Sequence, residues 1–254
     1  MWAEEDMITR KDLQKEYYSA EKEHSYLRYR AEDLYAKNLT GYLLNFAGIS
    51  PGSNILEIGS GAGRFTIHLL KAEFKVTCVD LSEAQLKRLD EDSRKAGIPA
   101  DKLKAHCAAV EDMSNSAGDH YDVIIGFFIL HHLDTDNLQA HFSEFRKLLK
   151  PGGRICFLEP NRLNPLFFFQ YVFQKDMDLR SEIGTFKLSR KLLKKVLFLA
   201  CYKDVTFKNF GFFPPQIVNR FGSVLKFERL VEKIPILKRF LPFLLVMAEK
   251  RADI

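Results

Sequence analysis

Cysteine is scarce in this 254-residue chain. Its four cysteines, Cys78, Cys107, Cys156 and Cys201, are scattered and form no C-x-x-C pair, which excludes a zinc site built on such pairs. Three of them fall inside strand-like runs, so buried free thiols in a reducing compartment are expected. Long apolar runs are missing too, and nothing reaches the length of a membrane span. The start, Met1 to Asp6, is acidic and lacks the apolar core of a secretory signal, so a cytoplasmic protein is expected. There is no internal repeat and no low-complexity segment. No strong charge of either sign is present: 38 Lys and Arg against 33 Asp and Glu leave +5, which does not call for nucleic acid. His24, His68, His106, His120 and His141 show no ligand spacing, so no metal is expected. Hydrophobic residues, at 46%, suffice for one large domain with or without a lid.

What is present is concentrated between Asn54 and Leu70. An apolar run, Ile55 to Ile58, passes through Gly59, Gly61 and Gly63 and continues as Phe65, Ile67, Leu69 and Leu70 at spacing a helix can bury. A strand turning through glycines into a helix is a nucleotide-binding corner, where backbone N–H groups at the helix start meet a ligand. The spacing narrows the ligand. A dinucleotide fold would put its third glycine at position 64, which is Arg64, and the Gly-Lys-Ser/Thr of a P-loop is absent. Glu57, two residues before the first glycine, would repel a pyrophosphate but suits a cation.

Around this corner runs a βα rhythm. Before it, Lys11 to Glu23 and Ser25 to Phe46 read as helices, ended by Gly48 and the Ser50, Pro51, Gly52 turn. After it come strands at Lys75–Asp80, Leu103–Ala108, Tyr121–Phe128 and Arg154–Leu158, with helices at Glu83–Lys95, capped by Ser82, and at Asp136–Leu149. The alternation predicts a doubly wound, mostly parallel sheet of seven strands. The rhythm breaks over 160–200, where an aromatic run and the basic stretch Lys187 to Val196 predict a helical lid inserted between strands five and six. Lys203–Phe210 and Leu244–Lys250 close the sheet, joined by one helix that Pro214 and Pro215 open. The expected division is a helical cap over 1–50 and a catalytic domain over 51–254.

Ligands in open α/β sheets bind beyond the carboxyl ends of the strands. Those ends offer Glu57 and the glycines, Asp80, then Glu111 and Asp112, then Phe127 to His132, and finally Glu159 to Asn161. In this order, with E-I-G-S-G-A-G, F-F-I-L-H-H-L and L-K-P-G-G-R-I-C-F-L-E-P, the chain resembles the class I S-adenosylmethionine-dependent methyltransferases over about residues 40–160. That family's cofactor carries a sulfonium and an ammonium and no phosphate. The resemblance implies S-adenosylmethionine as cofactor, held by Glu57, Gly59, Gly61, Gly63, Asp80 with its neighbour Leu81, Glu111 or Asp112 at the adenine, and Phe127. It also implies an antiparallel edge formed by the last two strands.

The family has no universal catalytic residue. Three groups are candidates for a general base: His132, His131 and Glu159. The two histidines equally fit a loop-packing feature, and Glu159 equally fits a residue that holds a neighbouring loop. The aromatic insertion fits a small, apolar or lipid-linked acceptor, and the basic stretch 187–196 fits peripheral contact with an anionic membrane. No nucleic acid is expected as partner. The competing expectations are a nucleic-acid or protein methyltransferase, which lacks its Asn-Pro-Pro-Tyr-like motif here, and a non-catalytic binding module.

Overall fold

The computed structural model describes residues 28–113, 121–165 and 184–252. The expected helix Lys11 to Glu23 lies outside them. Seven strands form one sheet: β1 (Asn54–Ile58), β2 (Lys75–Asp80), β3 (Leu103–Cys107), β4 (Tyr121–Phe127), β5 (Leu149–Pro160), β6 (Tyr202–Phe210) and β7 (Phe243–Lys250). Their order is β3-β2-β1-β4-β5-β7-β6. The first five are parallel, and β7 runs antiparallel to both β5 and β6. The helices are α1 (Leu34–Ala47), α2 (Thr66–Lys71), α3 (Glu83–Lys95), α4 (Val110–Met113), α5 (Leu138–Leu148), α6 (Arg190–Leu199), α7 (Pro215–Arg220), α8 (Val224–Val231) and α9 (Pro235–Lys238).

Side chains alternate across a strand, and here they fill two core layers. Leu56, Ile124, Ile155, Phe157, Leu244 and Val246 face α5 and α6, which bring Phe142, Phe145, Leu193 and Leu197. Ile55, Ile125, Cys156, Leu158 and Leu245 face α1, α2 and α3, which bring Leu39, Leu43, Ile67 and Leu89. Burial on both faces explains why the central strands read as continuous apolar runs. The edge strand β3 is exposed along most of its length and carries Lys104 and His106.

Four expectations are corrected. The helix predicted from Ser25 begins only at Leu34, because Asp33 caps it and Arg28 is drawn away into a bridge with Gly63. β5 is longer than Arg154–Leu158, because Leu149 pairs with Tyr121 and Pro160 pairs with Phe243. Three short helices rather than one join β6 to β7, since Pro235 opens a further helix after α8. Of the cysteines, Cys78 and Cys156 are buried, but Cys107 lies on the exposed edge strand and Cys201 in an exposed turn. The basic stretch forms α6, capped by Ser189, whose hydroxyl accepts from the Leu192 amide at 3.1 Å. Among the described residues no helix is long and apolar enough to cross a membrane.

Candidate active site

The glycine corner follows β1 directly. Gly59, Gly61 and Gly63 have φ of +69°, +53° and +83°, the left-handed region that other residues enter at a cost. Their surroundings differ. A Cβ on Gly59 would strike Ile129, and one on Gly63 would strike Leu89. A Cβ on Gly61 would meet nothing within 4 Å. The first and third glycines therefore let side chains close on the loop, and the middle one leaves bare backbone facing open space. Ser60, between them, is buried and its hydroxyl has no hydrogen-bond partner.

Asp80 reaches this loop from the end of β2. One carboxylate oxygen accepts from the Gly61 amide at 2.8 Å, and the other accepts from the Ser82 amide at 2.9 Å. Burial raises its pKa against the pull of these amides. A carboxylate offers about four lone-pair sites, so two such bonds leave acceptor capacity for a diol. Leu81 beside it is half-buried, and its carbonyl lies 3.7 Å from the Cys107 thiol. Glu57 is 1% exposed, with one oxygen 3.9 Å from the Cys78 thiol. Burial pushes its carboxyl up to about 8, and the nearby Asp80 charge adds to the rise. Beyond β3, α4 carries Glu111 and Asp112, and Asp112 is exposed. Phe127 is buried at the end of β4 and stacks on Phe65 at 4.2 Å between ring centres.

The loop after β4 is tied to the end of β5. One oxygen of Glu159 accepts from the Ile129 and Leu130 amides at 3.0 and 2.8 Å. The other lies 3.4 Å from the His131 amide and 2.6 Å from His131 Nδ1. Glu159 and His131 are both buried, and the His132 ring lies 4.0 Å from that of His131. The turn begins at Phe128, held at φ +57° with its amide donating to the Leu158 carbonyl. A strained, fully bonded turn of this kind fixes where the two imidazoles sit.

Other groups at the corner had no sequence signal. Arg28 bridges Gly63 and makes a two-pronged pair with Asp92 of α3, at 2.6 and 3.0 Å. Asp33 caps α1, accepts from Arg64 Nε at 2.8 Å, and accepts from the Asn219 side chain of α7 at 3.2 Å. Arg64, read in the sequence only as a missing glycine, is thus the strut between the glycine loop and α1. Two cavities, of about 200 and 240 Å³, lie elsewhere, at the amino ends of the strands beside Asp122 and Lys150 and beside Lys75 and Lys104.

Residues 55–153 match the family model of a methyltransferase domain. That stretch is a methyltransferase domain, and the fold around it is the one seen in solved S-adenosylmethionine-dependent methyltransferases. Among curated relatives the chain is 27% identical over 120 residues to an S-adenosyl-L-methionine-dependent Diels-Alderase of Neonectria sp., covering 47% of this chain and 43% of that protein. It is 28% identical over 131 residues to a ubiquinone biosynthesis O-methyltransferase of Nitrosococcus oceani, covering 52% and 53%. The chain thus spans about half the length of these relatives or less. A solved magnesium protoporphyrin IX methyltransferase of Synechocystis, with bound SAM, shares the fold with a TM-score of 0.59 at 14% identity, over 95% of this chain and 97% of that one. The order β3-β2-β1-β4-β5-β7-β6 is that of the methyltransferase fold, including its antiparallel edge.

Proposed function

We propose that this chain binds S-adenosylmethionine at the glycine corner and transfers its methyl group to a small, apolar or amphiphilic acceptor. The observation that carries the reading is the open face of Gly61, next to an Asp80 carboxylate with lone pairs to spare. The orphaned Ser60 hydroxyl gives the same corner a further polar group without a partner. In this reading Asp80 takes the ribose hydroxyls, the glycines and Leu81 lie along the nucleoside, Glu111 or Asp112 meets the adenine, and Phe127 backs the loop. Glu57 lies beneath it, buried and with its carboxyl pushed up to about 8, and a cationic ligand above would favour its ionised form. The bound sulfonium supplies an activated methyl, and the chain's own task is alignment, which contributes on the order of 7 kcal/mol or more in well-oriented cases.

His132 is the group we assign to proton removal from the acceptor. His131 and Glu159 are bonded to each other and to the loop, and act as positioning residues that set the His132 ring. Of the cap expected over 1–50 and the lid expected over 160–200, the described helices α1 and α6 pack into the two core layers of the sheet. The decisive test titrates the full chain with S-adenosylhomocysteine by calorimetry. Wild type binds, and Asp80→Ala weakens binding by at least tenfold; unchanged affinity in that variant sinks the assignment. A second reading, cofactor-dependent cyclisation without methyl transfer, is favoured by the family likeness to a Diels-Alderase. Turnover without formation of S-adenosylhomocysteine would select it.

A further inference from the structure

Helix α8 is built inside out. Its one acid, Glu228, is 3% exposed and accepts the Phe212 and Phe213 amides, each at 3.0 Å. Its large apolar residues point the other way: Phe227 is 56% exposed and Leu230 58%. The chain then continues through exposed Ile234 into α9, where Ile236 is 77% exposed, and Phe240 just past that helix is exposed as well. Between these apolar groups lie Lys226, Arg229, Lys233, Lys238 and Arg239, all exposed, and among the described residues none of them is in an ion pair. The other acid of the segment, Glu232, is turned inward and accepts from the Tyr42 hydroxyl at 2.7 Å and the Gly211 amide at 3.1 Å. The outward face is therefore apolar and cationic, with its acids withdrawn. Pro235 keeps the helices short, so the face can lie on a bilayer and not cross it.

We infer that the α8–α9 face docks on an anionic lipid surface, with Phe227, Leu230 and Ile236 entering the acyl boundary and the lysines and arginines meeting the headgroups. Charge complementarity selects this occupant, since anionic lipid attracts each basic residue close to the surface. The attachment to the catalytic edge is firm. Phe210 and Pro160 both pair with Phe243, so the segment hangs from the carboxyl edge of the sheet. Side chains at that edge hold its backbone: Asn161 donates to the Arg239 and Leu241 carbonyls, Asn164 to Phe240, and Asn209 to Arg239. Docking would thus bring the mouth of the site to the membrane. The supply of an amphiphilic acceptor from there rests on the proposed methyl transfer; the docking does not. Helix α6 is a poorer candidate for this role, because Leu193, Val196 and Leu197 of the basic stretch face the core.

The test is co-sedimentation of the full chain with vesicles of phosphatidylcholine alone or mixed with phosphatidylglycerol. Binding is expected on the mixed vesicles only and to weaken as salt screens it. The surface variant Phe227→Ser/Ile236→Ser, and separately Lys238→Ala/Arg239→Ala, should each lower it by about tenfold. Lys191→Ala/Lys194→Ala/Lys195→Ala on α6 should leave it unchanged. Equal binding to both vesicles, loss only in the α6 variant, or a solution dimer that Phe227→Ser/Ile236→Ser splits, would overturn the inference; the last would make the face a contact between copies. S-adenosylhomocysteine affinity of the same variants should match wild type, and a wild type that binds vesicles but no S-adenosylhomocysteine would fail the functional reading alone.

Discussion

Glu57 is a buried carboxyl with a thiol beside it. Its pKa, raised by burial to about 8, couples folding to pH. Between the ordinary carboxyl value and about 8, the folded chain holds a proton that the unfolded chain has released. Stability should therefore fall as pH rises across that window and level off above it. Glu57→Gln keeps the shape and removes the titration, so thermal melts from pH 5 to 9 should show a flatter alkaline side in this variant. His68 works in the opposite direction: burial depresses its imidazole to about 4, so it contributes a loss of stability as pH falls below its ordinary value. Glu159 makes a different prediction. Its carboxylate gathers loop amides and the His131 ring, so Glu159→Gln should cost about 2–3 kcal/mol in denaturant unfolding. A variant of full stability that had lost only turnover would instead mark Glu159 as the base.

At the scale of elements, α1 belongs to the sheet's own core and also reaches the glycine loop. Leu39, Leu43 and Ala47 pack in one layer with Ile55 and Ile67, and Asp33 at its start holds Arg64. Burial works against the Asp33 charge, but Arg64, the Ala36 amide and Asn219 together hold its carboxyl below the ordinary value. Asp33→Ala removes a helix cap, an ion pair and a link to α7 at once. It should cost about 1–3 kcal/mol in unfolding experiments. Asp33→Asn keeps the cap and should recover part of that loss. Because Arg64 follows the loop directly, the alanine variant should also weaken S-adenosylhomocysteine binding, which calorimetry would read alongside the melt.

For the whole molecule the decisive element is the last one. β7 is placed between β5 and β6, and its residues alternate between the two layers, Leu244 and Val246 to one and Phe243 and Leu245 to the other. Removing residues 243–254 would leave β6 without a partner and β5 with an open edge, and would empty part of both cores. Such a chain should show no cooperative thermal transition by near-UV circular dichroism. A cooperative melt near that of the full chain would mean that the parallel half folds alone.

Local rules were enough to read much of this protein from its residues. Apolar runs and the alternation of strands with helices marked the sheet, Ser82 marked the start of α3 at Glu83, and the E-I-G-S-G-A-G corner marked the likeness to the methyltransferases, because each depends on neighbours in the chain. The three glycines looked alike as letters. Only their surroundings separate Gly61, which faces open space, from Gly59 and Gly63, which Ile129 and Leu89 approach. The same holds for Glu159, tied to amides some thirty positions earlier in the chain, for Arg64 reaching Asp33, and for a helix α8 whose acid turned inward and whose phenylalanine turned out. Those facts come from contacts between residues distant in sequence, whose geometry is set by how the layers close and not by the period of any one segment.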